Sequence, residues 1–222
     1  MHQALDLAAG AAGLVATLPF YPAIASAIYQ DNPGPIFYFQ PRSRAEGMVI
    51  EEFLMYKFRS MGVNAEANGQ AVIAGQNDAR VTQVGRFIRK TRIDELPQFI
   101  NLLLGQMSLI GPRPERMAFL AQMAEAIPHF EQRTFEGRPG ITGLAQVSLD
   151  YEGRPIPGTQ MHEVFTRNVA DPANPTTADS FRFKLLHDLA YRAAQEDPRR
   201  ALLADLYIIV RTVRVMTGGF GR

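Results

Sequence analysis

The chain has 222 residues and a formal net charge of +1, so it is long enough for one domain with appendages and has no strong field that points to nucleic acid. It contains no Cys, which excludes disulfides, thiolate metal sites and a Cys nucleophile. Its four His residues show no HExxH spacing, and no GxGxxG, GxxxxGK[ST] or GxSxG motif occurs, so the usual signatures of zinc hydrolases, dinucleotide-binding proteins, P-loop enzymes and serine hydrolases are missing.

The N-terminal segment is apolar and uncharged from Leu7 to Gln30. This length is sufficient for a helix to cross the hydrocarbon core of a membrane, which takes roughly 20 apolar residues. Pro19 and Pro22 interrupt it, and each removes a helix hydrogen bond, so we predict a kink near 18–22. A cleaved signal peptide is disfavoured, because this chain has no basic region before the apolar run. A straight span fits the length but not the prolines, and a core helix is disfavoured by the long uncharged run. We therefore expect a re-entrant membrane helix over residues 1–30.

Two short aromatic segments follow, at 34–42 and 53–61, and they predict the paired strands of a hairpin. Residues 62–80 are small and polar and predict a loop. A helix is expected over 81–90.

The stretch "RKTRIDELPQ" at 89–98 places two adjacent carboxylates, Asp94 and Glu95, after a run of cations. Thr91 and Asp94 have the spacing of a helix capping box, and Pro97 fits a first helical turn. Read alone, the stretch favours a helix start, with a helix from Asp94 to Leu104 that Gly105 ends. A catalytic pair is the alternative.

The second half mixes turns and helices. Prolines hold "SLIGPRPE" at 108–115 extended, residues 116–133 look helical, and "RPGITGLAQV" at 138–147 predicts a turn. Residues 150–183 predict a surface excursion, with helix again from about Phe181 and a break at Pro198. The last helix is either a core helix or an interfacial one whose Arg211 and Arg214 meet lipid phosphates.

Cations beside strand ends and turns suggest a site for more than one phosphate, because arginine forks bind phosphate oxygens. They are Lys57, Arg59, Arg86, Arg89, Arg113 and Arg138. A carboxylate in such a site either holds a divalent metal or accepts a phosphoryl group. Asp94 and Glu95 point about 100° apart on a helix, which favours separate roles.

These motifs together resemble the bacterial sugar transferases that are monotopic phosphoglycosyl transferases. The longest matching block is residues 77–115, and further matches are "LDLAAG" with "LP", "GPIFYFQPR", "YKFRSM", "RPGITGLAQV", "HDLAYR" and "DLYIIVRTVRV". They cover nearly the whole chain in family order. Larger members of this family carry extra transmembrane helices and a further domain before this region, and the resemblance implies that this chain corresponds to the minimal catalytic form.

The resemblance implies that Asp94 attacks a UDP-sugar, that UMP leaves, and that the phosphosugar then passes from Asp94 to a polyprenyl phosphate, usually undecaprenyl phosphate. It implies that Glu95 is the Mg²⁺ ligand. The implied phosphate contacts are Lys57, Arg59, Arg89 and Arg113. The implied nucleotide contacts are Arg138, Pro139, Gly140, Thr142, Gln146 and Asp188. The implied break in the membrane helix is at Pro19, with Pro22 in addition.

The resemblance further implies a mostly helical α+β fold. Residues 1–30 would form the re-entrant helix, and residues 31–222 a catalytic domain with interfacial helices on the cytoplasmic face of the bacterial inner membrane. Membrane lipids are expected partners, nucleic acid is not, and a homodimer is left open. The chain departs from the family at Leu18 and Arg92, where Ser and a small polar residue are usual. Two rival functions are a phosphatase or phosphodiesterase acting on lipid phosphates and a catalytically silent membrane scaffold.

Overall fold

The chain has a mostly helical α+β fold, seen in a computed structural model that describes residues 2–66, 78–135, 137–149, 154–155, 160–171 and 176–217. The predicted loop at 62–80 therefore lies largely outside the described residues, as does part of the 150–183 excursion. The described part of that excursion contains α8 (Gln160–Asn168) and the start of a second helix at Thr177.

The N-terminal helix is broken where the prolines predict. Helix α1 (His2–Thr17) gives way to a 3-10 turn at Leu18–Phe20 and then to α2 (Tyr21–Asp31). Within the described residues, Gln3–Asp31 is the one helix long and apolar enough to cross a membrane, and 6% of its most apolar window is buried. Asp6 is an exception to this exposure, since it is buried and accepts hydrogen bonds from the Ser108 hydroxyl and the Leu109 amide.

The predicted hairpin forms, but both strands lie closer to the turn than the predicted segments at 34–42 and 53–61. Strands β1 (Phe37–Glu46) and β2 (Val49–Phe58) pair antiparallel, and Gly47 adopts φ +61 in the tight turn between them. Phe53, Met55 and Phe58 of β2 are buried. The hairpin thus carries one apolar face into the core.

The expected helix from Asp94 to Leu104 is interrupted. Residues Ile93–Glu95 form a 3-10 turn, and α4 (Gln98–Leu103) begins after Pro97. The helix α3 (Gln83–Lys90) precedes them. The capping box is also wrong, because the Thr91 hydroxyl donates back to the Phe87 carbonyl at 2.9 Å and does not bond Asp94.

The predicted turn at 138–147 contains a strand and a helix instead. Strand β3 (Ser108–Ile110) pairs in parallel with β4 (Gly140–Thr142), which leads into α7 (Leu144–Ser148). A Cβ at Gly111, Gly140 or Gly143 would come within 2.4, 2.2 or 2.1 Å of backbone atoms. Glycine is therefore required for these two segments to approach so closely.

The remaining helices pack around an aromatic core. The helical prediction for 116–133 holds only for α5 (Met117–Ala126) and the start of α6 (Gln132–Phe135), because Pro128 and His129, at φ +62, separate them. Helix α9 (Thr177–Ala194) begins earlier than predicted, and α10 (Pro198–Thr217) begins at the predicted break. The core beneath them is formed by Leu120, Met123, Ile127, Phe130, Phe181 and Leu185.

Candidate active site

A strained turn presents the two carboxylates to the end of strand β2. Helix α3 ends at Lys90, and Arg92 then adopts the left-handed conformation at φ +59 before the 3-10 turn. A non-glycine residue in this region costs of order 1 kcal/mol or more, and such strain is frequent at functional sites. The reversal brings Glu95 within 3.4 Å of the Lys57 ammonium on β2.

Glu95 is held by three cations. Its Oε1 lies 2.5 Å from Nη2 of Arg113 and 3.4 Å from Nζ of Lys57, and its Oε2 lies 3.8 Å from Nη1 of Arg92. Burial opposes ionisation, but the charges of Arg113, Lys57 and Arg92 outweigh it and hold the pKa of Glu95 well below its usual range. Glu95 is therefore ionised at neutral pH and fixed in place.

Asp94 has the opposite environment. Its side chain is buried, and no hydrogen-bond donor contacts it among the residues that the structure describes. Burial and the charge of Glu95 raise the pKa of Asp94 to about 6, although the charges of Lys57, Arg89 and Arg113 lower it. Asp94 is thus mostly ionised at neutral pH and makes no hydrogen bond within the described part of the chain, so its carboxylate is available as a nucleophile.

Lys57 completes the charge balance of the site. Burial lowers the pKa of its ammonium to about 8, with a further lowering by Arg113, while Glu95 and Asp94 act in the other direction. Lys57 is therefore a cation at neutral pH but loses its proton more readily than an ordinary lysine.

The predicted phosphate contacts do not all lie together. Lys57 and Arg113 contact Glu95, and Arg89, half-buried on the last turn of α3, acts on Asp94 through its charge. Arg59 has other partners. Its guanidinium donates to the side chain and carbonyl of Asn32 and to the carbonyl of Pro35, so it joins the end of α2 to the end of β2.

The predicted nucleotide contacts lie on or beside the β3–β4 pair. Arg138 is exposed, whereas Pro139 and Gly140 are buried, and the Gly140 amide donates to the Pro112 carbonyl at 2.9 Å. The Thr142 hydroxyl shares a hydrogen bond with Thr212 at 2.7 Å. The parallel pairing therefore places the Arg138 turn beside the segment that carries Arg113.

Gln146 and Asp188, which were also predicted as nucleotide contacts, have their side chains bonded within the protein. Gln146 is buried, and its amide donates to the Ile141 carbonyl at 2.9 Å. Asp188 is also buried and pairs with Arg133 at 2.6 Å. A small open crevice lies nearby, lined in part by Pro112, Arg113, Pro114, Gly137 and Pro139.

Three contributors were missed by sequence reasoning. Arg92 contacts Glu95, Arg133 contacts both Glu115 and Asp188, and Arg42 bonds the Pro114 carbonyl. No local pattern marks Arg42 or Arg133, because their partners are distant in sequence. The one available signal was Glu115, an acidic residue at the end of the proline-containing segment 108–115.

The residues present fit a magnesium ion poorly in this arrangement. Within the described residues, no group of three or more His, Cys, Asp or Glu side chains could hold a metal ion. Both oxygens of Glu95 lie within 3.4 Å of Arg113 nitrogens, so an ion at Glu95 would have to displace the guanidinium. Asp94 has the open carboxylate, although Mg²⁺ usually requires further oxygen ligands from water or phosphate.

Comparison with known proteins gives consistent matches. The family model described as "Bacterial sugar transferase" matches residues 1–219. A relative from Aeromonas hydrophila, the UDP-N-acetylgalactosamine-undecaprenyl-phosphate N-acetylgalactosaminephosphotransferase, is 38% identical over 221 residues, which are 100% of this chain and 44% of that protein. A putative undecaprenyl-phosphate N-acetylgalactosaminyl 1-phosphate transferase from Bacillus subtilis is 44% identical over 68% of this chain and 82% of its own length.

A third relative is named for a different sugar. The UDP-glucose:undecaprenyl-phosphate glucose-1-phosphate transferase of Xanthomonas campestris pv. campestris is 41% identical over 61% of this chain and 27% of that protein. The chain therefore spans less than half the length of the Aeromonas and Xanthomonas relatives.

Proposed function

Because the chain belongs to the bacterial sugar transferase family, we propose that it transfers a phosphosugar from a UDP-sugar to a polyprenyl phosphate, with undecaprenyl phosphate as the expected acceptor. The observation that carries this proposal is the contrast within the acid pair. Glu95 is bound by three cations, while Asp94 beside it is buried, ionisable near pH 6 and without a hydrogen-bond donor in the described part of the chain.

These two environments support a reaction in two steps. Lys57, Arg89 and Arg113 bind the diphosphate of the donor and offset its charge. A carboxylate oxygen of Asp94 attacks the phosphorus next to the sugar, the bond to the UMP oxygen breaks, and UMP leaves with the electron pair. A phosphate oxygen of the polyprenyl phosphate then attacks the same phosphorus. The bond to Asp94 breaks, which gives a diphosphate-linked lipid and restores the carboxylate.

The other residues have supporting roles in this proposal. Glu95 orients Arg113 and Lys57 by its charge. The surface around Pro112 and Pro139 would contact the nucleotide, and Arg138, which is exposed and adjacent to Pro139 in the sequence, would lie next to it. A requirement for Mg²⁺ stays a prediction, and no step above depends on it.

A membrane location is consistent with the acceptor. The broken apolar helix over Gln3–Asp31 is long enough to enter a bilayer and is little buried by the protein. We propose that it enters and leaves one leaflet, which would place the carboxylates at the cytoplasmic face of the bacterial inner membrane, where a UDP-sugar and a lipid phosphate meet. A homodimer is compatible with this arrangement and is not required by it.

The test is UMP release by the protein in nanodiscs with undecaprenyl phosphate. UDP-N-acetylgalactosamine and UDP-glucose are the first donors, because the relatives are named for these sugars. We expect UMP and a lipid-linked phosphosugar with at least one donor, and neither product from Asp94→Asn. Asp205→Asn, which alters an aspartate bonded to Tyr191, is the matched control. Phosphate release from the lipid phosphate without a UDP-sugar would indicate a phosphatase, and a complete lack of turnover would indicate a scaffold.

A further inference from the structure

The segment that carries Arg113 is anchored through three successive backbone carbonyls. The Arg113 carbonyl accepts from Nη2 of Arg133 at 3.1 Å, and the Pro114 carbonyl accepts from Nη1 of Arg42 at 3.1 Å. The Glu115 carbonyl accepts from the Ser43 amide at 2.8 Å and the Ser43 hydroxyl at 2.9 Å. These bonds fix the backbone immediately behind the guanidinium that binds Glu95.

Arg133 is the centre of this anchoring. Its Nε and Nη2 lie 2.8 and 2.6 Å from Oδ2 of Asp188, and its Nη1 lies 3.3 Å from Oε1 of Glu115. The guanidinium carbon also lies 5.2 Å from the centre of the Phe130 ring, in the aromatic core. Arg133 is 2% exposed, so its side chain is held in one position. From that position its guanidinium donates the hydrogen bond to the Arg113 carbonyl.

Asp188 faces Arg133 from helix α9. It is 3% exposed, and Arg133 provides two donors to one of its oxygens. A buried carboxylate engaged in this way has little access to a bound nucleotide, and its loss would leave the Arg133 charge uncompensated. Without Asp188, we expect Arg133 to shift and the Arg113 carbonyl to lose its donor.

We propose that Asp188 and Arg133 are positioning residues that set the direction of Arg113 through its backbone carbonyl, and that Asp188 is not a nucleotide contact. The effect on turnover rests on the proposed function. A displacement of about 1 Å in a positioning group costs up to about 100-fold in rate. Asp188→Asn is therefore expected to lower kcat about 10- to 100-fold, and to do so only while Arg113 is present.

A double-mutant cycle tests this dependence. Asp188→Asn is measured by UMP release in the wild-type background and in the Arg113→Lys background, with Asp205→Asn as the control in both. We expect a large loss of kcat in the first background and a loss of less than about threefold in the second. Equal losses in both backgrounds would overturn the proposal. If Asp188→Asn instead raised the KM for the UDP-sugar by the same factor in both backgrounds, Asp188 would be a nucleotide contact and the proposal would be wrong.

A second measurement needs no substrate, so it decides the proposal even if the transferase activity is not found. The guanidinium resonances of ¹⁵N-arginine-labelled protein in nanodiscs are compared, and the Arg113 signal is assigned by its loss in Arg113→Lys. We expect Asp188→Asn to shift or broaden that signal and Asp205→Asn to leave it unchanged. If Asp188→Asn does not fold, Arg133→Lys, which keeps a charge opposite Asp188, is used in the same way. An Arg113 signal that is unchanged in the folded variant would refute the positioning role.

Discussion

Replacing the proposed nucleophile is expected to stabilise the protein, because the wild type buries an ionised carboxylate to which none of the described residues donates a hydrogen bond. Burial and the charge of Glu95 raise the pKa of Asp94 from 3.8 to about 6. The unfolded chain thus loses this proton near pH 4 and the folded protein near pH 6. The free energy of unfolding therefore falls as pH rises between these values and stays lower above them.

The size of this effect follows from the shift. About two pKa units correspond to about 3 kcal/mol at 1.36 kcal/mol per unit, and Asp94→Asn removes this cost at pH 8. The value is an upper bound, because the buried amide also loses hydration. For a chain of this length, 1 kcal/mol changes Tm by about 2–4 °C, so we expect a Tm for Asp94→Asn up to roughly 10 °C above the wild type.

The assay is thermal unfolding in nanodiscs at pH 8 and pH 4. The Tm difference should be largest at pH 8 and should shrink towards pH 4, where Asp94 is protonated in the folded wild type. Asp78→Asn is a control of opposite sign, because hydrogen bonds to Arg80 lower the pKa of Asp78 to about 2, and this variant should lose stability at pH 8. The reasoning would be refuted if Asp94→Asn melted below the wild type at pH 8, or if the Tm difference between the two proteins were the same at pH 8 and pH 4.

Three further predictions concern turnover and topology. The pH profile of kcat/KM should be a bell, with its rising midpoint near pH 6, where Asp94 loses its proton, and its falling midpoint near pH 8, where Lys57 loses its own; a profile flat from pH 5 to 9 would contradict these assignments. Glu95→Gln should keep the fold but lose most turnover, because Lys57 and Arg113 lose their shared counter-charge, and a wild-type rate of UMP release would make Glu95 a structural residue. Single cysteines at His2 and Asp31, in this chain without native Cys, should be labelled from the same side of a membrane, whereas labelling from opposite sides would show a straight span.

Elements with local causes could be predicted from the sequence. Pro19 and Pro22 break the apolar helix whatever packs against it, and the hairpin follows from two aromatic runs around a turn. The acid pair was also evident, because Asp94 and Glu95 stand out among the cations before them. The capping interpretation failed because α3 ends at Lys90 and Arg92 reverses the chain, so Asp94 does not begin the helix that follows.

Features that depend on distant contacts could not be predicted. Arg59 and Arg113 have the same charge and both follow an apolar strand. One bonds Asn32 and the other Glu95, and only the packing of the folded chain separates these roles. The β3–β4 pairing was missed because each strand has three residues, although glycines at 111, 140 and 143 were a usable signal of close backbone approach.

The most direct test of the account is the mass of the protein after incubation with a UDP-sugar in the absence of polyprenyl phosphate. Asp94 should form an acyl phosphate, so the wild type should gain the mass of one phosphosugar, release one equivalent of UMP, and carry the adduct on the peptide that contains residue 94. Added undecaprenyl phosphate should remove the adduct, and Asp94→Asn should never form it. UMP release only when both substrates are present, with no adduct on the wild type, would contradict the covalent role of Asp94.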